Sequence, residues 1–170
     1  MPKKIENVRV LLMQEAKRLL QIDGYAKLTM RSVAAACGVG VGTVYNYFSS
    51  KDMLIASFVL DDWLQALKKM QQCDEAGVDR VAHVYRCLSK FISQNGALFH
   101  DESAKKSYSA ASNVWHKQLR EQLAKAVLPA CKGQKGEEFL SLFIADCLLS
   151  WSAEEKDFSD LAPIMEKLLS

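Results

Sequence analysis

The stretch from Thr29 to Leu54, TMRSVAAACGVGVGTVYNYFSSKDML, constrains the fold of this chain more than any other. It reads as two short helices joined by a glycine-bearing turn. Thr29 starts the first, because its hydroxyl accepts from a backbone N–H that a helix start leaves free. Val33, Ala34 and Cys37 fall on one face at helical spacing. Ala35 and Ala36 are small and let another helix approach. Gly38 stands where the helix ends and where a positive φ costs least. Val39 is expected to anchor the turn in the core. The second helix is expected from Val41 to Phe48, with Val44 and Phe48 inward and Thr43, Tyr45, Asn46 and Tyr47 largely outward. Ser50 then caps a third helix, with Lys51 and Asp52 in its first turn. This is the layout of a helix-turn-helix, whose second helix enters the major groove of DNA.

These residues resemble the TetR/AcrR family of bacterial repressors, whose N-terminal helix-turn-helix ends in a Tyr-x-x-Phe-x-x-Lys pattern. Here the pattern is Tyr45, Phe48 and Lys51, with Leu54 three residues on. Thr29, Val33-Ala34 and Cys37-Gly38-Val39 fit it upstream, and the match covers the first third of the chain. The resemblance implies an all-α fold. A three-helix helix-turn-helix domain over residues 1–50 is expected to precede a helical effector-binding and dimerisation domain over 51–170. It further implies a homodimeric repressor on a near-palindromic double-stranded DNA operator, released by a small-molecule effector. The candidate DNA contacts are Thr29, Arg31, Gly40, Val41, Gly42, Thr43, Tyr45, Asn46, Tyr47 and Lys51. Lys51 and at least one tyrosine hydroxyl are expected on phosphate.

The chain departs from the family at the start of the recognition helix. Many members carry a polar pair there, whereas this chain has Gly40 and Val41, followed by Gly42. Glycine lets backbone N–H groups come close to phosphate, and valine can touch a thymine methyl. Two glycines also lower helix propensity, so this helix is expected to be partly unformed until DNA orders it. A nucleotide cradle is the rival reading of the Gly38–Gly42 run. It needs a preceding strand and a different spacing, and a helical pattern precedes the glycines here.

At 170 residues the chain makes one or two small domains. No apolar run is long and uncharged enough to span a bilayer. Met-Pro-Lys-Lys leads into a polar amphipathic stretch rather than a secretion signal, so the expected location is cytoplasmic. Five cysteines without a Cys-x-x-Cys pair argue against a disulfide framework or a zinc site. Cys37, Cys87 and Cys147 are expected to pack, while Cys73 and Cys131 near helix ends leave a thiol sensor open. His83, His100 and His116 lack metal-ligand spacing and are expected at the surface or hydrogen-bonded. No metal, cofactor or catalytic set is expected. Through Asp52 there are eight basic residues against four acidic ones, and the whole chain carries +2, so the remainder is slightly acidic. A basic module on an acidic body suits a DNA reader with a separate control domain.

Helices are expected over 5–22, 51–72, 79–95, 110–130, 137–153 and from about Ser159 to Leu169, with a less regular stretch at 98–109 that has room for a short helix. Leu54, Phe58, Leu64 and Leu67 mark the long helix, which has no Gly or Pro inside it. The segment from Glu137 is apolar nearly all round and needs cover on several sides. The family pairs two C-terminal helices from each subunit, and there is more apolar surface here than one small domain hides. The expected dimer interface is therefore Phe139, Leu140, Phe143, Leu161, Met165 and Leu168. Any effector pocket is expected among Trp63, Tyr85, Cys87, Phe91, Phe99, Tyr108, Trp115 and Trp151, for an apolar or neutral ligand. The competing classes are a helical enzyme or cofactor-binding protein and an effector-free helical adaptor. Glu137-Glu138 and Glu154-Glu155 are the acidic pairs an enzyme would need, and solvated helix ends explain them.

Overall fold

The computed structural model describes residues 7–170, without the side chains of 108–114. Every regular element among the described residues is helical: α1 (Val8–Asp23), α2 (Met30–Cys37), α3 (Val41–Tyr47), α4 (Lys51–Gln71), α5 (Gly77–Gln94), α6 (Gly96–Phe99), α7 (Glu102–Val127), α8 (Glu137–Ala153) and α9 (Ala162–Leu169). Short 3-10 turns at Leu128–Ala130 and Phe158–Asp160 lead out of α7 and into α9.

The chain forms two compact units. One runs through Asp62 and adds Asn95–Ser107; the other takes Trp63–Gln94 and Tyr108–Ser170. The sequence places a boundary at residue 50, whereas the first unit keeps the opening turns of α4. The reason is packing, because Leu54, Ile55, Phe58 and Val59 are buried with the helix-turn-helix core.

In the first unit α1 contributes Leu12, Met13, Ala16 and Leu20 to that core. Its spacing puts these on one face, and α1 packs on α2 while α2 packs on α3. Leu12, Val33 and Val44 are wholly buried. Truncating such a leucine to alanine costs about 2–5 kcal/mol, a large share of a small module's stability. Lys17 and Asp62 form an ion pair, and Asn95 donates to the same carboxylate at 3.1 Å.

In the second unit α5 is the central element, in contact with α8, α9 and the turn after α7. Its buried face is Val81, Val84, Tyr85, Leu88 and Phe91. Trp63 packs edge-on against Phe91 with ring centres 5.1 Å apart, and its indole N–H donates to Gln122 at 2.6 Å.

Several expectations need correction. Leu64 is exposed, and the neighbouring Trp63 is buried in its place. The helix expected from 110 starts earlier: α7 begins at Glu102, capped by the Asp101 carboxylate, which accepts from the N–H groups of Ser103 and Ala104. The first turns of α7 carry exposed Glu102, Ser103, Lys105 and Lys106, so no apolar stripe announces them. The last helix starts at Ala162, after a 3-10 turn, with Pro163 in its first turn as expected. Leu161 and Met165, expected at a dimer interface, are buried in the chain's own core. Among the cysteines, Cys73 and Cys131 are the buried pair, whereas Cys37, Cys87 and Cys147 are half-buried.

Candidate nucleic-acid interface

The turn is built as its sequence dictates. Thr29 Oγ1 accepts from the Ser32 N–H at 3.0 Å, and Ser32 Oγ accepts from the Thr29 N–H at 3.0 Å. This reciprocal cap fixes the start of α2. Gly38 closes α2 at φ 64°, a left-handed conformation that glycine adopts freely. Its N–H and that of Val39 return to carbonyls of α2. Val39 itself is half-buried.

α3 is a formed helix that buries only Val44, with Phe48 following it into the core. Everything else on it faces outward to some degree: Val41, Tyr45 and Tyr47 are exposed, as are Gly42 and Asn46, and Thr43 is half-buried. Tyr45 and Tyr47, expected largely outward, are both exposed, at 54% and 47%. Large aromatic groups held outward on a short helix have no packing reason to be there, which makes them candidates for contact with a partner. Gly40 has an ordinary φ of −68°. A Cβ at Gly42 would meet nothing within 4 Å, and one at Gly40 only Thr43 Oγ1 at 4.0 Å. Neither glycine is required by the packing of the chain itself. Their effect is to leave bare backbone facing outward.

Arg9 joins this surface, and sequence reasoning missed it. Its guanidinium lies 5.4 Å from the centre of the Phe48 ring. Arg9, Tyr45, Asn46, Tyr47, Ser49, Met53 and Ser57 line an open groove over Phe48. Arg9 lies in α1, well before the motif that begins at Thr29, and carried no signal there beyond its charge. Thr29 and Arg31 are exposed at the start of α2.

Lys51 is placed differently from the expectation. Its ammonium donates to the Tyr25 carbonyl at 3.0 Å and lies 3.8 Å from the centre of the Tyr25 ring. The Tyr25 hydroxyl in turn donates to Asp52 at 2.8 Å and is 3.1 Å from Ser107 Oγ. Burial raises the Tyr25 phenol above its ordinary value, the Ser107 bond opposes this, and Asp52 adds to it. The phenol therefore stays a donor. Lys51 and Asp52 thus grip one aromatic residue between α1 and α2, and hold the start of α4 against it.

Residues 12–58 match the family described as bacterial regulatory proteins, tetR family. Over those residues the chain is similar to a TetR-family helix-turn-helix. The chain is 25% identical over 72 residues to the HTH-type transcriptional regulator UidR of Escherichia coli K12, a match over 42% of this chain and 37% of that protein. The chain therefore matches well under half the length of that relative. Along nearly its full length the fold is TetR-like. A transcriptional regulator from Cytophaga hutchinsonii superposes with a TM-score of 0.69 at 16% identity, over 94% of this chain and 93% of that one. The TetR transcriptional regulator from Nitrosomonas europaea gives 0.66 at 17%, over 95% of each chain. At such identities the likeness is one of fold.

The effector candidates are not gathered at one place. Trp63, Tyr85 and Phe91 are closed within the core of the second unit, and Phe99 belongs to the first. Tyr85 donates to the Lys156 carbonyl and Trp151 to that of Asp157. Trp115, Trp151 and Cys87 are half-buried; the Tyr108 side chain lies outside the described residues. On α8, Phe139 and Phe143 stand one turn apart and are exposed, at 76% and 46%, with Leu140 half-buried. On α9, Leu168 is half-buried and Ile164 is exposed. No helix among the described residues is long and apolar enough to cross a membrane.

Proposed function

We propose that the chain is a cytoplasmic, homodimeric transcriptional repressor that reads a near-palindromic operator with α3 of each copy. The observation that carries this reading is the outward face of α3, where Val41, Tyr45, Asn46 and Tyr47 are presented and only Val44 is buried. On this reading Asn46 and Val41 read base edges in the major groove, the first pairing with adenine and the second touching a thymine methyl. Tyr45, Tyr47, Arg9, Arg31 and the bare backbone at Gly40 and Gly42 position the helix on phosphate. Two copies related by a two-fold axis present two such helices, which is why the operator is near-palindromic.

The exposed Phe139 and Phe143 of α8, with Leu140, Leu168 and Ile164, form the dimer surface on this reading. A small apolar or neutral effector enters the second unit, where it meets half-buried Trp115 and Trp151 rather than the closed core around Trp63. α4 runs without Gly or Pro from Lys51 to Gln71 and passes from one unit into the other. It is the element that carries the effector's push to the reader. The effector acts by binding the DNA-incompetent arrangement more tightly, and its effect is limited to that difference in affinity.

Fragments of the source genome selected for binding test the reading. Enrichment of a two-fold symmetric sequence supports it, and enrichment of none refutes it.

A further inference from the structure

The loop between α4 and α5 brings together three side chains that the sequence keeps apart. Cys73 and Glu75 lie in the loop and His83 lies on α5. Cys73 Sγ is 3.6 Å from Glu75 Oε2, and His83 Nδ1 is 4.0 Å from the same oxygen. One ligand atom from each of the three lies within 4.8 Å of the other two. A thiol, a carboxylate and an imidazole are the donor types that bind zinc. In a tetrahedral zinc site, with bonds of about 2.0–2.3 Å, ligand atoms sit roughly 3.3–3.8 Å from one another. Closing on an ion therefore asks for movements below about 1 Å.

The surroundings hold these groups in place. His83 Nε2 lies 3.0 Å from the carbonyl oxygen of Lys69. A carbonyl only accepts, so Nε2 carries the proton and the Nδ1 lone pair is left toward Glu75 and Cys73. Metal-binding histidines are oriented in this way, with the far N–H donated to a carbonyl. The loop backbone is pinned by buried Arg80, which donates from Nη1 to the Cys73 carbonyl at 2.8 Å and from Nε to that of Ala126 at 2.9 Å. Arg86 approaches Glu75 to 3.8 Å on the outer side. Cys87 lies against the other nitrogen of His83, 3.6 Å from Nε2, and so stands behind the ring rather than among the ligands.

We propose that Cys73, Glu75 and His83 form a binding site for a divalent ion of the zinc type, with a fourth position open to water or a further ligand. A thiolate and a carboxylate balance the two positive charges, and the imidazole binds neutral. Binding replaces the Cys73 thiol proton with the ion and releases that proton to solvent. The ion would tie the end of α4 to α5. Nothing in this depends on DNA binding, so the site stands or falls separately from the reading above.

The test is titration of Co2+ into the full chain, stripped of metal by a chelator and kept reduced. The expected result is a thiolate-to-cobalt charge-transfer band that saturates at one ion per chain and is displaced by Zn2+. Cys73→Ser should abolish the band. Glu75→Gln and His83→Gln should weaken binding by at least about tenfold, and Cys87→Ser should leave it unchanged. Circular dichroism checks the fold of each variant. Should Cys73→Ser not fold, the solvent-facing Glu75→Gln carries the test. Absence of the band in the unmodified chain overturns the proposal. So does a band that survives Cys73→Ser, one that is lost in Cys87→Ser, or affinity unmoved in folded Glu75→Gln.

Discussion

The Lys51 ammonium and the Tyr25 residue meet twice, once through a hydrogen bond to the Tyr25 carbonyl at 3.0 Å and once through its ring at 3.8 Å. Lys51 is the last residue of the Tyr45, Phe48 and Lys51 pattern. In the free chain it closes the module on itself. A charged donor on a carbonyl and a cation over an aromatic face each stabilise by about 1 kcal/mol or more.

Lys51→Ala should therefore lower the stability of the chain by about 1–2 kcal/mol, read as a lower midpoint in urea. The same variant reports on DNA. A salt slope of binding that is unchanged would keep Lys51 as an internal clamp, and a slope smaller by about one unit would add a phosphate contact to that role.

Gly42→Ala separates folding from recognition. Glycine inside a helix costs about 0.5–1 kcal/mol relative to alanine, and a Cβ at Gly42 meets nothing within 4 Å, so the variant should be more stable. DNA affinity should nevertheless fall, because the methyl stands between backbone and phosphate. Thermal melting and fluorescence anisotropy read the two effects. A variant that gains in both would remove the close-approach role from Gly42.

Asn46→Ala should change which operator bases are preferred, whereas Tyr45→Phe and Tyr47→Phe should weaken all sequences alike. An amide pairs with an adenine edge and a phenol reaches phosphate. Competition among single-base operator variants distinguishes these outcomes. Uniform loss with Asn46→Ala would move base reading to Val41 or Thr43.

Phe143→Glu should give a folded monomer in sedimentation, because Phe143 is exposed in the single chain and its charge need be buried only at an interface. Met165→Glu should instead unfold the second unit, since Met165 is 1% exposed. A folded dimer from Phe143→Glu would place the dimer surface elsewhere.

The half-buried thiols of Cys37 and Cys147 should react slowly. Burial pushes both above the ordinary thiol value, with Glu15 and Asp146 adding to the shift. Only the thiolate attacks, so alkylation near neutral pH should be slower than for a free thiol and should quicken as pH rises. Rates equal to those of the free thiol would contradict this.

The helix-turn-helix was legible because each local signal is decided locally. Thr29 caps, Gly38 turns left-handed, Val44 and Phe48 alternate with polar neighbours at helical spacing, and all four stand as expected. What could not be read was set by tertiary contacts. The first turns of α7 show no apolar stripe because their residues face water. Trp63 rather than Leu64 is buried because Phe91 of α5 stands beside it. The stripe that holds Leu161 and Met165 looks the same in sequence whether another helix of the same chain or of a second copy covers it, and here the chain's own core buries both. Arg9 reaches the α3 surface, and His83 reaches Cys73, only through folding.

The most direct test of the central claim is the affinity of the full chain for a selected genomic fragment, compared with random duplex, across a salt series. The account predicts that the selected site is held at least about 10³-fold more tightly at physiological salt, with affinity falling steeply as salt rises. Equal affinity for both duplexes at every salt concentration would contradict it.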